Sequence, residues 1–265
     1  MGHRSREVVA PPMPEPRTFR VVDVAINSAP FADVLSRVLA APDSGELLAL
    51  HFATAHTIVE AHDDPRLRDA LARGLVQPDG MPLVWLGRRA GFPVDRVCGP
   101  DFLPALVEHG IPEGRTHYFL GGAPGVPEAL AARLAARFPG MHVAGTLSPP
   151  FRGLSAEEDD AIVDRINAAN PDYIWVGLGA PKQDLWVAEH RSRLRAAALL
   201  AVGAAFDFQA GTRRRAPGWM QRTGTEWVYR LFTEPRRLAA RYTRVNARFL
   251  RLVLQTRRGT ESDQT

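Results

Sequence analysis

The feature that most narrows what this chain can fold into is its alternation of short apolar runs with longer stretches of helical spacing. Apolar runs fall at residues 19–27, 46–53, 115–122, 172–179 and 197–206. Runs this short and this uniformly apolar suit strands buried on both faces. Between them, residues 65–74, 126–138 and 155–170 carry apolar side chains at helical spacing, the last opening on Ser155 as N-cap with acids in its first turn. Alternation at this pitch predicts an α/β fold, a mainly parallel sheet with flanking helices. In such sheets ligands bind beyond the carboxyl ends of the strands, so residues just past each run are the first candidates for function.

The ends of the chain depart from this pattern. Residues 1–18 are proline-rich and read as a flexible leader, with 19–211 as the α/β catalytic domain. From Ala216 the pattern is purely helical, which gives a helical appendage at 212–256 and a disordered tail at 257–265. The 33 basic and 29 acidic residues are unevenly placed: residues 213–258 hold 13 arginines against Glu226 and Glu234, a local net of +11 that leaves −7 for the rest. A basic end on an acidic body suits a polyanionic partner. Arg237, Arg241, Arg244, Arg248 and Arg251 form one stripe of an amphipathic helix, and Leu238, Tyr242, Val245, Phe249 and Leu252 form the stripe beside it. Two readings stand: a helix docked on the body with its arginines solvated, or a helix at an anionic membrane surface. No aromatic platform interleaves with these arginines, so nucleic acid is not expected.

Other classes fall away on residue content. The single cysteine, Cys98, excludes an internal disulfide framework and a Cys-rich zinc site, and it suits a reducing cytosol. No run approaches the roughly 20 apolar residues of a membrane span, and the N-terminal stretch lacks the apolar core of a signal peptide. His51, His56 and His62 lack the spacing that sets two ligands on one helix face, and no Asp-x-Asp pair stands at a strand end, so neither metal nor cofactor is expected. No G-x-S-x-G elbow is present, and Cys98 has no evident partner base.

Three strand-end segments carry polar chemistry. Asp79, in Pro78-Asp79-Gly80, is either an ordinary turn or cap residue or a general base at a strand end. Gly121 and Gly122 open a strand-to-helix turn that serves either as a tight turn or as a phosphate cradle; the run is not G-x-G-x-x-G and has no ribose-binding acid after it. The segment 177–186, GLGAPKQDLW, runs glycines into a helix whose first turn carries Lys182 and Gln183, presenting N–H groups and an amide to an oxygen-rich ligand.

In order and spacing these segments resemble the WecG/TagA/CpsF glycosyltransferases of bacterial surface-polysaccharide assembly. The supports are Pro78-Asp79-Gly80; Arg96-Val97-Cys98-Gly99-Pro100-Asp101; GLGAPKQDLW; residues 203–207 with Gly211 and Arg215-Ala216-Pro217; and residues 224–231 followed by Glu234-Pro235-Arg236-Arg237. The resemblance implies a Rossmann-like fold and an inverting transferase. A hexose, N-acetylmannosamine or related, would pass from a UDP-sugar to a polyprenyl-diphosphate-linked saccharide at the inner face of the cell membrane, without a metal. It implies Asp79 as the base. It implies Arg96 and Gln183 at the substrate, with Arg230, Arg237 and Arg241 of the appendage on the diphosphate; Gly121, Gly122 and Asp207 are further substrate-binding candidates. Where the family carries Thr-x-Asn, this chain has Phe52 and Thr54, so Thr54 is the remaining hydrogen-bonding candidate there. That departure motivates the rival expectation of a nucleotide-sugar sensor or scaffold with an altered site. The family also leaves a homo-oligomer as an open expectation.

Overall fold

The computed structural model describes residues 17–222, 225–233 and 244–256. Six parallel strands form its main sheet in the order β4-β3-β8-β7-β5-β6. They are β3 (Leu48–Ala53), β4 (Leu75–Pro78), β5 (Thr116–Gly121), β6 (His142–Leu147), β7 (Tyr173–Gly177) and β8 (Ala198–Ala201). The predicted mainly parallel α/β architecture is the one found.

Each central strand reads as an unbroken apolar run because both its faces are covered. Leu50, Phe119, Trp175 and Leu200 pack on one face under α1 (Phe31–Ser44), α5 (Gly99–Gly110), α6 (Val126–Arg137) and α9 (Ala205–Ala210). Ala49, Leu120, Val176 and Leu199 pack on the other, under α7 (Ala156–Ala169) and α8 (Lys182–His190). Helix α7 begins as its sequence predicts, with Ser155 and Glu158 forming a reciprocal capping box. A further apolar cluster joins α2 (Ala55–Asp63), α3 (Pro65–Ala72) and α4 (Met81–Arg89) to the start of the chain.

Four stretches of the reading need correction or addition. Residues 19–27 are not a strand of the main sheet. The chain reverses at Val22-Asp23, with Val22 in the left-handed region at φ 55°, so β1 (Thr18–Val21) and β2 (Val24–Asn27) pair as a separate antiparallel ribbon. Strand β6 has no apolar signature because it lies at the sheet edge with His142 and Val143 exposed. Helices α1 and α5 carry Pro42 and Pro104 inside them, which masks their periodicity. The run at 197–206 divides into β8 and α9 around Gly203, whose φ is 54°.

Beyond the sheet lie α10 (Gly218–Arg222), α11 (Glu226–Thr233) and a helix over residues 244–256, here α12. The apolar stripe of α12 faces the body: Phe249 and Leu252 are buried in the cluster formed by the β1–β2 ribbon and helices α2–α4. Arg244, Arg248 and Arg251 remain exposed, Arg248 pairing with Asp63 at the end of α2. Among the described residues no helix is long and apolar enough to cross a membrane.

Candidate active site

Because all six strands run parallel, their carboxyl ends line one edge of the sheet, where Thr54, Asp79, Gly121, Gly122 and Gln183 stand. Asp79 directly follows β4. Its N–H donates to the Ala53 carbonyl at 2.9 Å and Gly80 N–H to the same oxygen at 3.2 Å, which ties the turn to the end of β3. Thr54 caps α2 from that strand end, accepting and giving bonds with Thr57 in a reciprocal box. A side chain on Gly80 would lie 3.4 Å from the Thr54 Cα, so Thr54 and the Asp79 turn are in contact.

Arg96 fixes this corner. Its Nε donates to the Asp79 carbonyl oxygen at 2.6 Å, and its Nη2 reaches the Asp79 carboxylate at 3.4 Å. Main-chain contacts hold Arg96 there: Val97 N–H donates to the Pro78 carbonyl, and Gly99, at the start of α5, approaches the end of β8 so closely that a Cβ would stand 3.0 Å from the Val202 carbonyl. The Asp79 side chain is 24% exposed and that of Arg96 20%, so both can be reached from solvent.

The corner extends across the chain. Arg96 Nη2 also donates to Glu226 Oε2 at 3.0 Å, and Nη1 donates to the Gln221 carbonyl at 3.4 Å. Glu226 Oε1 lies 3.8 Å from Arg215 Nε, and Arg215 pairs with Asp101, which also accepts from the Cys98 thiol at 2.9 Å. Burial disfavours both guanidinium cations, but the neighbouring anions outweigh it and raise both above their ordinary value. For Asp101 burial is likewise outweighed, by the Arg215 and Cys98 hydrogen bonds, and its carboxyl lies below the usual range. Burial, reinforced by Asp79, pushes the Cys98 thiol well up, so it stays protonated.

Further along the edge, Gly121 and Gly122 end β5 with φ of 121° and 77°. A Cβ on Gly121 would meet the Gly177 main chain at 2.6 Å, and Gly122 N–H donates to the Gly177 carbonyl at 3.0 Å. Glycine is thus required here by the close approach of β5 to β7. These glycines stand four strand positions from β4, about 19 Å at normal strand spacing, so they and Asp79 cannot touch the same atom of a ligand.

The sequence reading has the Gln183 amide presented to an oxygen-rich ligand; the structure turns it to the main chain. The side chain is buried, its Nε2 donating to the Ala201 carbonyl at 2.7 Å and its Oε1 accepting from Gly179 N–H at 3.1 Å. It braces the turn after β7 against the end of β8. Asp207, in the first turn of α9, faces Thr212 and Arg213 and so shapes the connection leading to α10. Arg230 lies in α11 with its side chain outside the described residues, and Arg237 and Arg241 lie outside them altogether. Sequence reasoning assigned no role to Glu226, Arg215 or Asp101, although all three stand in the motif segments; the Arg96–Glu226 contact joins residues 130 apart.

Together these features define an α/β protein whose ligand edge carries a solvent-reachable carboxylate clamped by arginine, with glycine turns farther along. Residues 19–263 match the family described as Glycosyl transferase WecG/TagA/CpsF family, and the chain belongs to it. It is a glycosyltransferase. A relative from Bacillus spizizenii, named N-acetylglucosaminyldiphosphoundecaprenol N-acetyl-beta-D-mannosaminyltransferase, is 29% identical over 180 residues, which are 67% of this chain and 68% of the relative.

Proposed function

We propose that this glycosyltransferase moves a hexose of the N-acetylmannosamine type from a UDP-sugar to a saccharide carried on a polyprenyl diphosphate, in extracellular polysaccharide synthesis. The observation that carries the reading is Asp79, a solvent-reachable carboxylate past β4 whose carbonyl is clamped by Arg96. The sugar and the lipid-linked acceptor named for the Bacillus relative supply the substrate class.

An acceptor hydroxyl is a poor nucleophile until its proton is removed, and a positioned carboxylate typically gives about 10²- to 10⁴-fold for this. Asp79 takes that proton as the hydroxyl oxygen bonds to the anomeric carbon and the bond from that carbon to UDP breaks. One base on the face opposite the leaving group gives inversion. Thr54, beside Gly80, is a hydrogen-bonding group for the sugar. Charge develops on the departing diphosphate, and Arg230, Arg237 and Arg241 would neutralise it, since guanidinium forks match phosphate oxygens. With fixed cations in that role, the reaction is proposed to run without a metal. The separation along the sheet edge is consistent with Gly121 and Gly122 at the nucleotide end of an extended donor. Gln183 and Asp207 act indirectly, by holding the turns around it. The exposed arginines of α12 support attachment at an anionic membrane face, where the lipid-linked acceptor resides.

The test presents the full chain with a panel of UDP-hexosamines and a synthetic saccharide-diphosphate-lipid acceptor, with and without EDTA. Acceptor-dependent UDP release, unaffected by EDTA, is expected for at least one donor of the N-acetylmannosamine type. No release from any donor overturns the reading.

A further inference from the structure

The loop from β6 to α7 leaves the sheet at its carboxyl edge, one strand beyond the glycine turn of β5. Leu147, the last residue of β6, pairs with Leu120 of β5, so Ser148 stands beside that turn, and its Oγ donates to the Gly122 carbonyl at 2.7 Å. The far end of the loop is tied to α7. Arg152 donates from its two Nη atoms to both Glu158 oxygens, at 2.7 and 2.6 Å, and Glu158 is the residue that closes the capping box with Ser155. Pro149 and Pro150 restrict the backbone between these anchors. There Phe151 stands 80% exposed, and among the described residues no ring or guanidinium contact engages it.

Single exposed apolar side chains are ordinary on a protein surface. Placement sets this one apart. Phe151 is three residues past Ser148, so its Cα lies within about 11 Å of the Ser148 Cα at full chain extension. Along the ligand edge Asp79 follows β4, the glycine turn ends β5 and Phe151 follows β6, five strand positions or about 24 Å from the first to the last. A nucleotide-sugar carries its parts in one order too: sugar, diphosphate, base. We propose that Phe151 is the base platform of the donor site, its ring stacking on the nucleobase of the nucleoside diphosphate whose nucleotide end lies at the Gly121–Gly122 turn. This rests on the reading of the chain as a nucleotide-sugar transferase and names the residue that takes the base. Every nucleobase has a π-face, so stacking gives affinity without reading the base's hydrogen-bonding edge. A ring with two torsions, on a loop anchored at both ends, also loses little freedom when the ligand arrives.

Full-length wild type, Phe151→Ala and Phe151→Tyr are titrated calorimetrically with UDP, ADP and GDP, and each is sedimented with vesicles containing phosphatidylglycerol. The side chain is exposed, so the urea midpoint of both variants should match wild type. Phe151→Ala is expected to raise the Kd for UDP about 5- to 150-fold. Phe151→Tyr, which keeps the ring, should stay within about threefold of wild type, and vesicle binding should be unchanged in both. A Phe151→Ala Kd within about twofold of wild type, or a loss that tyrosine does not restore, would overturn the proposal. Loss of vesicle binding with UDP affinity intact would assign the ring to a membrane surface and overturn it as well. Should wild type bind ADP or GDP but not UDP, with the same dependence on Phe151, the UDP-sugar donor fails while the platform stands. Binding of none of the three overturns both.

Discussion

Replacing Gln183 by leucine separates a bracing role from a ligand-binding one. The substitution keeps most of the side-chain volume and removes both amide atoms. The Ala201 carbonyl loses a 2.7 Å hydrogen bond in the buried heart of the sheet edge, and an acceptor left unmet there costs about 1–3 kcal/mol. Gly179 N–H loses its 3.1 Å bond at an exposed turn, where water can replace the partner, so its cost is smaller, about 0.5–1.5 kcal/mol. The sum, about 2–4 kcal/mol, corresponds to a fall in Tm of about 5–15 °C for a domain of this size. Urea unfolding followed by circular dichroism measures the loss directly, and calorimetric titration with UDP measures binding under native conditions. The expected result is a fall in stability within that range with UDP affinity changed by less than about fivefold. Unchanged stability with UDP binding abolished would refute the bracing argument and return Gln183 to the ligand.

Other positions give independent checks. His117 is buried, accepts from Trp175 Nε1 at 3.2 Å, and is held by burial at a pKa of about 4. The native state keeps it neutral while the unfolded chain takes up a proton below about 6.5, so stability is complete above that pH and falls as pH drops toward 4, by about 3 kcal/mol in all. His117→Gln, which retains an acceptor for Trp175, should flatten that part of the stability-against-pH curve measured in urea. Gly121→Ala combines a left-handed backbone with a Cβ 2.6 Å from Gly177, and urea titration should show a loss of about 2–5 kcal/mol. Cys98 is buried with its thiol donating to Asp101, so alkylation at pH 8 should be at least about 100-fold slower in the native protein than in urea.

The sheet was legible in the sequence wherever burial on both faces left an unbroken apolar run, as in β3, β5 and β7. Legibility failed where another force set the pattern. The Val22-Asp23 reversal is local backbone geometry inside an apolar stretch, and β6 is an edge strand with little to bury. Asp79 could be singled out because a strand end is a place where function concentrates. Its link through Arg96 to Glu226 could not, because Glu226, itself paired with Arg215, reaches Arg96 only after the chain has crossed the whole sheet and turned back. Gln183 carries a use that the sequence did not reveal. A polar residue in a glycine-rich turn suggested a ligand contact, while two main-chain groups needed the same amide. For the described part of α12, Arg244, Arg248 and Arg251 lie on the exposed side and Phe249 and Leu252 are covered by the body, whereas Arg237, Leu238, Arg241 and Tyr242 lie outside the described residues.

The central claim is that Asp79 removes the acceptor proton. Asp79→Asn keeps the size of the side chain and the backbone carbonyl that Arg96 holds, while removing the basic oxygen. In single-turnover transfer from a UDP-sugar to a lipid-diphosphate acceptor, its rate should fall by about 10²- to 10⁴-fold, with the Kd for UDP within a few-fold of wild type. Transfer at the wild-type rate by this variant would contradict the account.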